Sequence, residues 1–409
     1  MEQVTQAVND ELVASLDYKL ATGNTNYIQS RKSVQFFPSS LSTFTPSTSR
    51  VCRIPITPGT DFVDPESIKL AFTFRNTDGT SDMLCGSPDP SCFIERIQLF
   101  ANGQRVEDIS YYGRSAFMYS LLKPLEWWQG RQWEGLPVDA GGWAQPVQPG
   151  QKRDVLMAPH LIGMFGCGKM LPPQLNLVLE IEFAEPAMAM RAGVGSSLSY
   201  QIENVHLLAD QVTLDSALRE SFERILLSNR SLVFSFPSLH VQQSSIPAGS
   251  TSYNITVARA FTKMLGAFVT FNKTGENHVS NFEYPGEAFP NVTAATVMEG
   301  QLQLGAMQFP RNSIKSIAEY HHFLAIMSGT FDSKIRNMRL PNYDNTTFVA
   351  AFPTERVPKH PTSGLSTRSG DLCRFTFKSM LADRVDQRFI GLVSMQIVTL
   401  SGSGVSVLD

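Results

Sequence analysis

Residues 163–173 read GMFGCGKMLPP. Gly163, Gly168 and Lys169 reproduce most of a phosphate-binding loop, and the reading of this loop decides between a nucleotide-binding α/β fold and a different class. Such a loop needs a strand before it, a helix after it, and Ser or Thr following the lysine. Backbone N–H groups wrap the phosphates, the lysine reaches the outer ones, and the hydroxyl holds magnesium. Met170 stands at the hydroxyl position. Pro172 pushes Leu171 out of helical geometry, and Pro173 lies too deep for a helix's first position. Upstream, Leu156-Met-Ala-Pro-His-Leu-Ile162 contains Pro159 and makes a poor central strand. The segment therefore reads as a turn between strands, with Lys169 an ordinary loop lysine and no nucleotide bound.

Working outward, the flanking chain reads as β-structure. Leu175–Phe183, Ile68–Phe74, Phe93–Phe100 and Tyr200–Leu208 alternate apolar and polar residues and are rich in β-branched and aromatic side chains. Turn clusters bound them, notably Asn76-Thr-Asp-Gly79 and Asn102-Gly103, with a weaker one at Gly193-Val-Gly195. Ala267–Phe271, Cys373–Phe377 and Gly391–Leu400 repeat the habit later in the chain.

Helical periodicity is confined to short stretches. Val4, Val8, Leu12, Leu16 and Leu20 fall four apart and make one apolar stripe over residues 2–20. Residues 215–227 place Leu218, Phe222, Ile225 and Leu226 on one face, with Asp215 as a cap. Residues 312–326 form a weaker case.

Four motifs recur about half a chain apart and in the same order. Ser33–Ser39 is echoed by Ser231–Ser238, and Ala71–Asn76 by Ala267–Asn272. Leu175–Phe183 corresponds to Cys373–Leu381, and the helical stretch 115–122 to 316–325. Collinearity of this kind points to two similar all-β units, an arrangement met by sandwiches or jelly rolls that protect their edges by doubling the sheet. The expected division is an arm over residues 1–30, a first jelly roll over 31–212, a linking helix over 213–230 and a second jelly roll over 231–409. Residues 125–154 form a long excursion that holds all four tryptophans, and loops of that length are uncommon unless functional or packed.

Composition limits the function classes. The 409 residues carry a net charge of −3, with 17% charged residues beside 27 phenylalanines, which suggests surface hidden against other chains. No apolar run approaches the ~20 residues of a membrane-spanning helix. The first twenty residues lack the apolar core of a secretion signal. The five cysteines include no CxxC pair, so reduced thiols are expected rather than a disulfide or zinc framework.

The seven histidines include one adjacent pair, His321-His322, whose members point to different faces of a helix and lack a partner at ligand spacing. No serine sits in a GxSxG elbow, and Glu107-Asp108 reads as a solvated turn. The expectation is a non-enzymatic protein with no catalytic residue, no cofactor and no metal. Basic residues come at most in pairs such as Arg31-Lys32 and Lys152-Arg153, so direct, sequence-specific nucleic-acid binding is not expected.

The order of these features resembles the double jelly-roll major capsid proteins of icosahedral DNA viruses, the lineage of the adenovirus hexon, large nucleocytoplasmic viruses, virophages and polinton-like viruses. Phe93–Ser110 is similar to that family's strand-turn-strand ending in an acidic pair. Leu156–Phe183 is similar to its loop, Leu-Pro step and strand, the step here being Leu171-Pro172. Val212–Glu220 resembles the inter-barrel link. His360–Arg368 resembles a late Pro-Ser-Gly stretch, from which it departs by Thr362, inserted between Pro361 and Ser363.

The resemblance implies a homotrimer whose six barrels form a pseudo-hexagonal capsomer, with strands upright to the shell and the 125–154 excursion as a tower or trimer contact. Implied partners are copies of itself, neighbouring capsomers, penton and minor capsid proteins, and an internal membrane where the particle has one. The place implied is the virion, with synthesis and assembly inside the host cell. The N-terminal stripe carries Glu2, Asp10, Glu11 and Asp17 against Lys19. That balance favours docking on protein over lying on a membrane. A tandem jelly-roll carbohydrate-binding protein or glycan-processing enzyme is the alternative, its tryptophans stacking on sugars. A spike or penton subunit usually needs one such barrel.

Overall fold

The computed structural model of the protein describes residues 28–408, apart from 40, 125–126, 128–129, 140–141, 192–194, 229, 258, 288–296, 329–342, 344, 356–363 and 369–371. The N-terminal stripe, Trp128 and the first four residues of His360–Arg368 lie outside the described residues.

The strands form four antiparallel sheets. The first runs β1 (Ile28–Phe36), β9 (Tyr200–Leu214), β4 (Phe62–Asn76), β7 (Lys152–Met157), with the short β2 (Thr43–Phe44) beside β9. The second runs β3 (Val51–Ile56), β8 (Leu177–Phe183), β5 (Ile94–Ala101), β6 (Gln104–Ser110). The third runs β10 (Leu232–Ser245), β17 (Gln387–Ser401), β12 (Met264–Asn272), β15 (Ala350–Pro353), with β18 (Gly404–Leu408) on β17. The fourth runs β11 (Tyr253–Val257), β16 (Cys373–Lys378), β13 (Glu299–Leu304), β14 (Met307–Ile314).

Leaving out the short β2, the eight long strands of residues 28–214 have the order 1-8-3-6 in one sheet and 2-7-4-5 in the other. The eight strands from β10 to β17 repeat both orders. Each set is a jelly roll, so the chain is a double jelly roll. The four sequence echoes fall on equivalent elements: β1 and β10, β4 and β12, β8 and β16, and the helices that follow β6 and β14.

Period-two burial builds each core. Leu177, Leu179, Ile181 and Phe183 of β8 are buried, and the residues between them are half-exposed. Phe72, Phe74, Phe93 and Phe183 meet ring to ring between the first two sheets. Phe271, Phe348, Phe352 and Phe377 do the same in the second pair. The phenylalanines thus mainly fill the two cores: Phe37 is the one strongly exposed phenylalanine among the described residues.

Three helices of ten or more residues lie in connections among the described residues. α1 (Tyr112–Leu121) follows β6, α2 (Ser216–Leu227) joins the two sheet pairs, and α3 (Ile317–Ser328) follows β14. The Asp215 carboxylate accepts from the backbone N–H of Ala217, capping α2. The third helix begins later than the expected residue 312, because residues up to Ile314 belong to β14. Its start is fixed by Ser316, whose hydroxyl accepts from the N–H of Glu319, while Glu319 accepts from the N–H of Lys315. That is a capping-box arrangement readable in the sequence at 316–319.

The loop at 163–173 lies between β7 and β8 as a 3-10 turn over Gly163–Gly166. Its glycines differ in purpose. Gly168 adopts φ +67°, which glycine tolerates best. A Cβ on Gly163 would stand 2.0 Å from the Pro237 carbonyl of β10, so the bare backbone lets the two halves touch. A Cβ on Gly166 would meet open space. Leu171 is bridged to Val63 by a pair of backbone hydrogen bonds. Gly163→Ala should therefore destabilise the protein by about 1–3 kcal/mol or more, as overpacking does, whereas Gly166→Ala should leave the thermal midpoint nearly unchanged. Thermal denaturation of the two variants side by side checks this.

Candidate functional site

The described residues hold several surfaces where structural units join. The most heavily built of them is the seam between the two jelly rolls, and Arg114 of α1 stands at its middle. α1 is buried along nearly its whole length, and Arg114 is its one charged residue. The guanidinium, 3% exposed, crosses entirely into the second jelly roll. Nη1 donates to the carbonyls of His278 (2.5 Å) and Asn281 (3.0 Å), and Nη2 to that of Phe271 (3.0 Å). The Thr270 hydroxyl lies 3.3–3.4 Å from Nη2 and Nε. The rings of Phe282 and Phe389 sandwich the group at 4.4 and 4.3 Å from its central carbon. Among the described residues no carboxylate serves it; burial pulls its pKa well below the usual arginine value, while carbonyl dipoles and ring faces supply the negative potential. The same charge and the same burial depress His278 to about 3, burial being the larger cause, so this imidazole stays neutral.

Further polar contacts extend the seam. Gln396 of β17 donates to the Val106 carbonyl at 2.6 Å, and Asn277 and Ser280 both donate to the Gly86 carbonyl at 2.7 Å. Lys169 donates to the Val233 carbonyl at 2.6 Å. The lysine of the phosphate-loop look-alike is thus an anchor between the halves.

Glu107 overturns its expected place in a solvated turn. It lies on β6, 3% exposed, and its carboxylate accepts from the N–H groups of Gly163 (2.9 Å) and Met164 (3.0 Å). The Ser238 hydroxyl of the second jelly roll also reaches it. Burial, opposed by these donors, raises its pKa to about 7. The alternation of β6 turns Glu107 to the seam and Asp108 to the outside, where Arg96 grips Asp108 through two 2.7 Å bonds.

The 125–154 excursion is ordered by charge as well as by packing. Arg131, in the 3-10 turn Arg131–Glu134, bonds Asp89 at 2.9 Å and Glu134 at 2.6 Å and lies over the Trp127 ring at 4.6 Å. Leu136, Ala144 and Val147 are buried beneath it. Arg191 covers Trp143 at 3.9 Å. Trp133 is 93% exposed, projecting from this pinned turn. Of the described tryptophans it alone presents a free ring, so the described residues form no multi-tryptophan platform.

The remaining sequence candidates scatter. His321 packs edge-on against Tyr343 and His322 against Phe323, on different sides of α3. Among the described residues no three His, Cys, Asp or Glu side chains converge. All five cysteines are free thiols, four of them buried. Sequence reasoning missed Arg114 and Glu107. The available signal was a lone charge in the otherwise uncharged stretch 112–121 and an acid at an inward position of an alternating strand.

No protein-family profile and no curated protein matches the sequence. Solved structures do match in shape. PBCV-1 VP54, as fitted into a reconstruction of the virophage Sputnik, superposes with a TM-score of 0.65 at 12% identity, covering 94% of this chain and 98% of that one. The Faustovirus major capsid protein gives 0.58 at 7% identity, covering 92% and 91%. A chain of the Sputnik virophage gives 0.53 at 9% identity, covering 94% and 89%. The fold is the double jelly roll of viral major capsid proteins.

Two outcomes follow from the seam. Arg114→Ala removes the side-chain donor from the carbonyls of His278 and Asn281, takes one of two donors from that of Phe271, and empties a slot between two rings. It should cost about 2–5 kcal/mol, the cost of a large-to-small core substitution that also leaves buried acceptors unpaired, seen as a lowered denaturation midpoint. Glu107 has a folded pKa raised from 4.5 to about 7, so its contribution is fully present below about pH 4.5 and is lost as pH rises through 7. The loss is at most about 3 kcal/mol. Burial first, then the Glu182 charge, also raises Glu95 to about 7. Melting curves from about pH 4.5 to 8 should show stability falling in the wild type and falling less in Glu107→Gln.

Proposed function

We propose that this chain is a major capsid protein whose homotrimers form pseudo-hexameric capsomers of an icosahedral shell. The observation that carries the reading is the repetition of one eight-strand order within a single chain. Two like blocks, fixed side by side by Arg114 and its carbonyl partners, present two quasi-equivalent flanks, and three such chains close a six-block ring. The likeness in fold to capsid proteins over nearly the whole chain supports the same assignment.

In this reading residues 31–212 and 231–409 are the two building blocks, 213–230 link them, and residues 1–30 form an arm. The protein works by packing and assembly rather than by catalysis, in the virion, after synthesis and assembly in the host cell. Its partners are further copies of itself and neighbouring capsomers, penton and minor capsid proteins, and an internal membrane where the particle has one. Its sparse basic pairs leave genome condensation to other proteins. Trp133, held out rigidly by the Arg131 ion pairs, suits a contact with a neighbouring subunit, since rigid exposed aromatics are favoured interface anchors.

Native mass spectrometry and negative-stain microscopy test the assignment. The expected result is a mass of three 45.3 kDa chains and a hexagonal outline. A monomer that binds glycans would overturn it. Trp133→Ala should leave the melting temperature of the subunit within about 1 °C, because an exposed ring adds little to folding, and should weaken self-association.

A further inference from the structure

An apolar groove of about 490 Å³ lies at one end of the seam, where β1 begins. Phe62, Met170, Leu214, Leu218, Phe222 and Val233 line it, drawn from both jelly rolls and from the joining helix α2. Every lining residue is apolar except Lys169, whose ammonium is turned to the Val233 carbonyl. Several of these side chains stand open to solvent: Met170 is 37% and Val233 42% exposed, and Ile28 at the margin is 52% exposed. Leu218 and Phe222 make α2 an amphipathic helix whose apolar face is half covered. Left open, such a patch costs hydration free energy and invites association.

We propose that the groove is the docking site for residues 2–20 of the same chain. Three observations select this occupant. Residues 2–20 carry an apolar stripe, Val4, Val8, Leu12, Leu16 and Leu20, of the kind an amphipathic helix lays into an apolar groove. The described chain begins at Ile28, which itself lines the groove. Seven residues separate Leu20 from Ile28 and can span at most about 25 Å, comparable to the ~24 Å length of a helix from Val4 to Leu20. The tether therefore holds the stripe at high local concentration over this surface.

Charge agrees with the assignment. The arm bears four carboxylates against one lysine, while among the described residues the groove's one charged lining group is a lysine. An anionic lipid surface would repel the arm, as would a groove rimmed by carboxylates. Docked there, the arm would brace α2 against both jelly rolls, adding an apolar clamp to the polar seam. This inference does not depend on capsid assembly.

Disulfide trapping in the full-length chain tests it. In a Cys167→Ser background, which removes the one native thiol that is not buried, Met170→Cys is paired in turn with V4C, V8C, L12C and L16C. The expected result is that at least one pair oxidises to a faster-migrating monomer on a non-reducing gel. The same arm cysteines paired with Leu198→Cys, an exposed site just before β9 and so at the opposite end of that 15-residue strand from Leu214 of the groove, should not. Interchain dimers would assign the groove to a second copy and overturn the proposal. Failure of all four pairs would overturn it too.

A second measurement guards against misfolded variants. Trypsin cleavage after Lys19 should be at least tenfold faster in Met170→Glu than in the wild type, with the rest of the digest unchanged. Equal cleavage rates would equally sink the idea.

Discussion

A buried guanidinium without a carboxylate is the constraint on which this architecture rests. Removing Arg114 from water is costly, and in the low dielectric of a core the charge must be met by oriented dipoles or by an anion. Here three backbone carbonyls, one hydroxyl and two aromatic faces meet it, every one from the second jelly roll, while the arginine belongs to the first. Neither half can satisfy this group alone. A carboxylate partner could form its ion pair over a range of placements, whereas converging carbonyls accept the fork in one orientation. The arrangement fixes where the second jelly roll sits relative to the first.

The glycine-rich loop between β7 and β8 follows the same logic in reverse. Its backbone N–H groups do meet an acidic group, as such loops are built to do. That group is the Glu107 carboxyl of the same chain, with Ser238 completing the contact across the seam. Gly163 makes the approach to Pro237 feasible because it has no Cβ. The resemblance to a nucleotide loop is thus a resemblance of local physics, turned to joining two domains. Lys169, which would reach a phosphate, instead donates to a β10 carbonyl.

Rigidity at this seam matters for a proposed capsomer subunit. A trimer acquires a pseudo-hexagonal outline only if the two blocks in each chain keep a fixed angle. Hydrogen bonds from Gln396, Asn277 and Ser280 spread the constraint along the junction, so that it does not pivot on one point. On the outer part of the first jelly roll, the Arg131–Asp89–Glu134 group does for the excursion what Arg114 does for the seam. It converts a long connection into a fixed platform for Trp133.

The sequence by itself determined the all-β class, the two-fold repetition and most strands. Alternation and turn chemistry are local signals, so Leu177–Phe183, Asn102-Gly103 and the Asp215 cap are legible without any long-range information. The failure of GMFGCGKM as a nucleotide loop was legible for the same reason, because Met170 and Pro172 act on their immediate neighbours. Tertiary structure alone decided what the charged residues do. Arg114 and Thr270, or Glu107 and Ser238, are separated by more than a hundred residues, and no local pattern links them. Period two assigns Glu107 to one face of β6, yet only the packing of β10 against β6 and the loop at 163–166 makes that face an interior. Burial is a property of the assembled seam, and it turned a supposed surface acid and a lone arginine into the pieces that hold the two halves together.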